Sequence, residues 1–149
     1  MGNNKITIVI NTFKSEDKIN QCLDSISQEF KVIVVENSKN TNFKNQIEQN
    51  YSNVECILAG DNLGYAKGNN LGLSNVETKY ALILNPDAKL EKNTLENFLI
   101  SANIKKDFCI MGPAKQDEYS STDQYIDKEN LFEVDYLKGF AMFLNLEQF

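Results

Sequence analysis

Apolar and polar residues follow one another along this chain in blocks, and the blocks switch period. "KITIVI" (residues 5–10) is a continuous β-branched run, the pattern of a strand covered on both faces. "SEDKINQCLDSISQ" follows, with Ile19, Cys22, Leu23 and Ile26 at helical spacing and Ser15 placed to cap. The cycle then repeats. "KVIVVE" (31–36) predicts a second strand and residues 42–49 a second helix, while "VECILA" (54–59) predicts a third strand ahead of a glycine-broken helical segment at 64–75. "YALIL" (80–84) reads as a fourth strand; beyond a cap at Asn93 or Thr94, Leu95, Phe98, Leu99 and Ala102 share one helical face. "FCIMG" (108–112) predicts a fifth strand, residues 115–133 a polar, acidic surface excursion, and residues 134–145 a β-rich return.

Strands alternating with amphipathic helices argue for an α/β fold. Right-handed crossovers are nearly the sole way to join parallel strands, so the expected architecture is a mostly parallel sheet with helices on both faces. With 149 residues, 42% of them hydrophobic, and neither a repeat nor a linker, the chain reads as one domain.

Charge and composition narrow the chemistry. A net charge of -6 without like-charged runs offers no electrostatic support for nucleic acid or an anionic membrane surface, so a small ligand is the expected partner. No apolar run reaches the length of a transmembrane segment, and the start "MGNNKITIVI" lacks the pattern of a signal peptide; a cytoplasmic location is expected. Cys22, Cys56 and Cys109 are far apart, lack CxxC spacing and sit among apolar neighbours, as reduced structural thiols would. The chain contains no His, no Arg and no Trp, which removes His-based catalysis, His-containing zinc sites and guanidinium clamps on phosphate. Carboxylates, amides, hydroxyls, Lys, backbone groups or a bound ion are left to do the chemistry. Richness in Asn, Lys and Ile points to an AT-rich bacterial genome.

In open α/β sheets, ligands bind outside the carboxyl ends of the strands. Those ends carry Asn11-Thr12-Phe13, Glu36-Asn37-Ser38, Gly60-Asp61-Asn62 leading to Gly64, and Asn85-Pro86-Asp87. No GxGxxG follows the first strand, no P-loop occurs, and the paired acids of a phosphoacceptor domain are missing. A nucleotide site without a glycine fingerprint, in which a metal ion holds the phosphates, remains. Pro86 fixes its own φ and biases Asn85 to extended geometry, setting Asp87 at the rim, where a carboxylate suits Mg²⁺ or Mn²⁺. Asn-Pro-Asp is equally a good turn, and both readings stand at this level.

Taken in order, "ITIVINTF", "VIVVENS", "NLGYAKGNNLGL", "LILNPD" and "VDYLKGFAMFL" resemble the inverting family 2 glycosyltransferases of GT-A fold, and among them the bacterial rhamnosyltransferase-like branch that builds cell-surface polysaccharide. These segments span nearly the whole chain. The resemblance implies a metal-dependent enzyme that takes a nucleotide-diphosphate sugar (UDP- or dTDP-linked) as donor and a glycan as acceptor, working in the cytoplasm and peripheral to the inner membrane through that acceptor. It implies that Thr12 and Phe13 lie beside the base, and that Glu36, where most relatives carry Asp, accepts a hydrogen bond from base or ribose. Asn62, Gly64, Ala66 and Asn70 match a segment whose small residues let the helix start approach the nucleotide; the alternative for the glycines is ordinary packing. Asn85 and Asp87 match the Asp-x-Asp motif with Asn in first place, which makes Asp87 the implied ligand of Mg²⁺ or Mn²⁺. Asp135 and Gly139 match a segment on the sugar side, and Lys67 and Lys138 receive no role.

Relatives carry the catalytic base well beyond the "GFAMF" strand, so the resemblance implies a base beyond Phe149 and none within the chain. The expectation is a donor-binding half: a truncated product, or a component completed by another chain. A non-catalytic nucleotide-sugar-binding module of the same fold is the alternative. Apolar surface over residues 134–144 is then expected to favour a homo-oligomer.

Overall fold

The computed structural model describes residues 5–113, 131 and 134–149; the acidic excursion expected at 115–133 lies outside them, Leu131 excepted. The elements run β1 (Ile6–Thr12), α1 (Glu16–Asp24), β2 (Lys31–Glu36), α2 (Thr41–Asn50), β3 (Val54–Leu58), α3 (Gly64–Leu73), β4 (Tyr80–Leu84), α4 (Thr94–Ile104), β5 (Ile110–Met111) and β6 (Ala141–Asn145), closed by a 3-10 turn at Leu146–Gln148. One sheet takes the order β3-β2-β1-β4-β6-β5. β1 to β4 are mutually parallel, with Ile8 opposite Val32 on one side and Leu82 on the other. β6 runs antiparallel to β4, Phe143 opposite Leu82, and β5 is antiparallel to β6.

Strand alternation sends successive side chains to opposite faces. Ile6, Ile8, Ile10, Val32, Val34, Leu82, Leu84 and Phe143 share one core with Ile19, Cys22 and Leu23 of α1, Phe43 and Ile47 of α2, and Leu95, Phe98 and Ala102 of α4. Each large apolar side chain buried there contributes about 1.5–3 kcal/mol relative to exposure. Phe143 is the aromatic hub, its ring centroid 4.8 Å from Phe98, 5.2 Å from Tyr80 and 5.6 Å from Phe108. α3 covers the opposite face, where a Cβ on Gly72 would come within 2.4 Å of Val9 and 3.2 Å of Val35; only glycine lets the helix lie that close. Helices therefore flank both faces, as the alternation predicted.

Several expectations need correction. β1 continues past Ile10 to Thr12, because Asn11 and Thr12 stay in register with Val35 and Glu36 of β2. Ser15 holds the N-cap position of α1 without capping it; its hydroxyl donates instead to the Phe13 carbonyl at 3.1 Å. The helix stops at Asp24, short of residue 28. The fifth strand contracts to two residues, and of the return at 134–145 only Ala141–Asn145 is strand. Cys109 is exposed, unlike the buried Cys22 and Cys56. The apolar surface expected over 134–144 shrinks to its first residues: Val134 and Tyr136 are 59% and 71% exposed, whereas Ala141, Phe143 and Leu144 are buried. β6 is an interior strand, paired with β4 and β5, and its Phe143 is buried by packing against Tyr80, Phe98 and Phe108.

Candidate functional site

Because β1 to β4 are parallel, their carboxyl ends open on one edge of the sheet. Side-chain amides stitch that edge together. Asn37, just beyond β2, donates to the Thr12 carbonyl through its backbone N–H (3.0 Å) and Nδ2 (3.2 Å), and Nδ2 also donates to Asn11 Oδ1. Its Oδ1 accepts the Leu63 N–H at 3.1 Å. Asn11 Nδ2 in turn donates to the carbonyls of Gly64 and Tyr65, each at 3.1 Å. The start of α3 is thereby fastened to the ends of β1 and β2. Asn62 completes the junction, its Oδ1 accepting the Gly64 N–H at 3.0 Å.

Gly64 enters α3 with φ 73°, a left-handed conformation that L side chains resist. A Cβ there would meet nothing within 4 Å, so backbone conformation, not crowding, is what asks for glycine. Ala66 and Asn70 lie one turn apart and exposed on α3, while Gly68 and Asn69 are buried.

Glu36 is 1% exposed. Its Oε1 accepts both the backbone N–H and the hydroxyl of Ser38, and its Oε2 accepts the Thr12 hydroxyl at 3.2 Å. The carboxylate is thus turned into its own loop, and Thr12, also buried, is locked beside it. Phe13 stands 47% exposed at the rim, with Lys14 Nζ 5.4 Å from its ring centroid.

Asn85-Pro86-Asp87 does form a turn: the Ala88 N–H donates to the Asn85 carbonyl at 3.0 Å, with Pro86 in the second position that its fixed φ suits. The Asn85 N–H donates to the Phe140 carbonyl at 2.9 Å, joining the turn to the approach to β6. Asp87 sits exposed at the third position of this turn. Beneath it, the Cys22 thiol donates to the Asn85 carbonyl at 3.7 Å; burial, helped by the Asp87 charge, pushes that thiol up to about 12. Mg²⁺ and Mn²⁺ usually take one or two carboxylates and complete their shell with phosphate oxygens and water. Among the described residues no group of three or more His, Cys, Asp or Glu could hold a metal by itself. A single exposed carboxylate fits an ion shared with a bound diphosphate.

Tyr65 bridges the two sides of the rim, its hydroxyl donating to the Gly139 carbonyl. Asn69, one turn further along α3, is 3% exposed, and among the described residues neither polar atom of its side chain has a partner in hydrogen-bond geometry. Of the residues singled out from sequence, Thr12 joins Glu36, Asn62 joins Gly64, and Asn85 joins the 139–140 segment through Phe140. Asp135 and Lys67 are exposed. Asn11, Asn37 and Tyr65 carry the rim's connections and had no assigned role. For Asn11 and Asn37 the sequence signal was position, at or immediately beyond a strand end, whereas Tyr65 lay within the 62–70 segment as the second residue of α3. Two surface hollows of about 370 and 380 Å³ lie elsewhere, one at the opposite edge around Lys31, Asn53 and Glu55, the other between α1 and α2.

Comparison with known proteins bears on this rim. The model of the family described as glycosyl transferase family 2 matches residues 7–143. The low-salt glycan biosynthesis hexosyltransferase Agl10 of Haloferax volcanii is 28% identical over 112 residues, covering 72% of this chain and 36% of that protein. Staphylococcus aureus TarS (1-349), solved in complex with UDP-GlcNAc, superposes with a TM-score of 0.57 at 25% identity, over 66% of this chain and 31% of the other. The mannosyltransferase PcManGT of Pyrobaculum calidifontis, solved with GDP-Man and Mn²⁺, shares the fold, with a TM-score of 0.70 at 16% identity over 96% of this chain and 45% of the other. The chain thus spans between about a third and a half of the length of these proteins.

Proposed function

The chain belongs to glycosyl transferase family 2, and from that premise we propose that it forms the donor-binding half of an inverting, GT-A glycosyltransferase, holding a nucleotide-diphosphate sugar for transfer to a glycan acceptor. One observation carries this reading. A continuous set of hydrogen bonds joins the Asn11–Asn37 pair, the start of α3, the 139–140 segment and the turn bearing Asp87 into a single rim at the carboxyl edge of the sheet. The UDP-GlcNAc held by TarS supports a UDP-linked donor, and Asn in the first place of the Asp-x-Asp position supports the rhamnosyltransferase-like branch, with a dTDP- or UDP-sugar.

Thr12 and Phe13 border the base in this reading. Glu36, held by Ser38 and Thr12, acts by shaping the loop against which base and ribose rest. Asn62 and Gly64 place the N-terminal end of α3, with its N–H groups and positive dipole end, near the diphosphate. Asp87 is the residue that would hold Mg²⁺ or Mn²⁺, which when bound supplies Lewis-acid stabilisation of the leaving diphosphate. Inversion gives the acceptor hydroxyl's proton to a carboxylate base, a role to which no described residue is assigned.

A thermal-shift screen with UDP, dTDP, GDP and CDP, each with Mn²⁺ and again with EDTA, tests the proposal. A ligand at a hundred times its dissociation constant adds about 2.7 kcal/mol to stability, a readable shift. Stabilisation by one nucleotide that disappears in EDTA is the expected result and identifies the donor class. No shift with any nucleotide overturns the donor-site reading.

A further inference from the structure

The loop that presents Asp87 is held from below at both of its shoulders by α1. At its start, the Asn85 carbonyl accepts two donors, the Ala88 N–H at 3.0 Å and the Cys22 thiol at 3.7 Å. At its end, the Leu90 N–H donates to Ser25 Oγ at 3.0 Å, while the Ser25 hydroxyl donates to the Cys22 carbonyl at 2.6 Å. Cys22 and Ser25 are three residues apart, so both contacts leave the same face of the helix at its C-terminal end.

We infer that Cys22 and Ser25 are positioning residues for Asp87, pinning residues 85–90 at both ends so that the tip carboxylate is presented to a cation in one orientation. The inference rests on the donor-site reading above. Its physical basis is the freedom each bond removes. The Ala88-to-Asn85 bond closes the turn on itself, and the Asn85 N–H bond to the Phe140 carbonyl fixes its first residue, which leaves the span from Pro86 to Leu90, packed on the core through Ala88 and Leu90, to pivot about Asn85. Attachment at Asn85 and again at Leu90 removes that pivot, and the helix providing both anchors is itself fixed in the core by Ile19 and Leu23, which are 0% and 3% exposed. Cys22 is fully buried, so its contact with the Asn85 carbonyl is shielded from water. Metal ligands on loops owe their affinity to such supports, whose loss commonly weakens binding about ten- to a hundredfold.

The test is Mn²⁺ binding to the whole chain in saturating UDP, with free Mn²⁺ read by electron paramagnetic resonance, for the unaltered chain and for Cys22→Val, Cys22→Ser and Ser25→Ala. Val matches the thiol in size without its donor; Ser keeps a donor. Cys22→Val and Ser25→Ala should each weaken Mn²⁺ binding by about tenfold, with UDP affinity in EDTA unchanged, and Cys22→Ser should recover most of the loss. A purely structural role would lower thermal stability equally with and without metal and leave Mn²⁺ affinity where it was, so affinities within twofold in both variants overturn the inference. Amide exchange at Ala88 and Leu90 separates this from failure of the donor-site reading. If the unaltered chain takes up no Mn²⁺ with UDP, that reading falls. Faster exchange at Ala88 and Leu90 in both variants then still upholds the pinned loop, and unchanged exchange overturns it.

Discussion

Gly68 lies so close against Asn11 that a Cβ on it would fall 2.5 Å from Oδ1 and 2.6 Å from Nδ2 of that side chain. Asn11 cannot swing aside cheaply, since its amide is bonded to Asn37, Gly64 and Tyr65. Alanine favours a helix over glycine by about 1 kcal/mol. Here overpacking, typically about 1–3 kcal/mol, should win, because the added methyl breaks the amide contacts of the rim. Gly68→Ala is expected to lower stability in urea unfolding. Combined with Asn11→Ala it should cost less than the sum of the two changes, because the second removes what the first collides with. Additive losses would mean that the contact is not what disfavours the methyl.

Glu36 tests whether a buried carboxylate can serve structure at a ligand rim. Glu36→Ala leaves the Ser38 N–H and hydroxyl without the oxygen that accepts them and Thr12 with the Val35 carbonyl alone, a loss of about 1–3 kcal/mol. Glu36→Gln keeps one oxygen for Ser38 and turns its NH₂ to the Thr12 oxygen, whose hydroxyl also has the Val35 carbonyl within 3.3 Å. Chemical denaturation should therefore rank the glutamine variant well above the alanine variant. Equal losses would argue that charge, not hydrogen bonding, is what the site requires.

Asp87 is exposed at the tip of its turn, and exposed substitutions away from special features change stability by no more than about 0.5 kcal/mol. Asp87→Ala should therefore melt close to the unaltered chain without nucleotide, yet lose the Mn²⁺-dependent part of any stabilisation by UDP. Retention of that part would remove Asp87 from the metal role.

The cysteines predict a pH dependence. Burial is the first cause that pushes Cys22 and Cys56 from 9.0 to about 12. Above pH 9 the unfolded chain sheds thiol protons that the folded chain keeps, so the unfolded state binds fewer protons and stability falls as pH rises. The contribution is whole below pH 9 and is lost progressively towards pH 12. Urea unfolding at pH 8 and pH 10 should show the decline, and a Cys22→Val/Cys56→Val variant should flatten it. Under native conditions at pH 8, a thiol reagent should modify the exposed Cys109 first, the buried pair reacting only on unfolding.

Much of the fold was legible because its signals are local. The continuous apolar runs of β1, β2 and β4 and the spacing of Ile19, Cys22 and Leu23 declare strand or helix within a few residues. The rim was legible as a list of polar strand ends, but its wiring was not. The partners of Asn11 lie 53 and 54 residues away at Gly64 and Tyr65, and Tyr65 reaches Gly139 across 74, separations over which no periodicity carries information. The exposure of Cys109 was missed for a related reason. Apolar neighbours in sequence say nothing about whether the pairing of β5 leaves that residue outside the core.

From the sequence alone come the α/β class, the single run of strand–helix units, the polar carboxyl edge, and a chemistry without His or Arg. Local propensity and composition suffice for these. Tertiary structure decided that β6 enters antiparallel between β4 and β5, that Glu36 faces inward to Ser38 and Thr12, and that the Asn-Pro-Asp turn is pinned by Cys22 and Ser25 with its carboxylate outward. An apolar run fits a parallel or an antiparallel neighbour equally well, and a carboxylate can face solvent or backbone. Which of these occurs depends on donors and acceptors that only the packing of distant segments brings within reach.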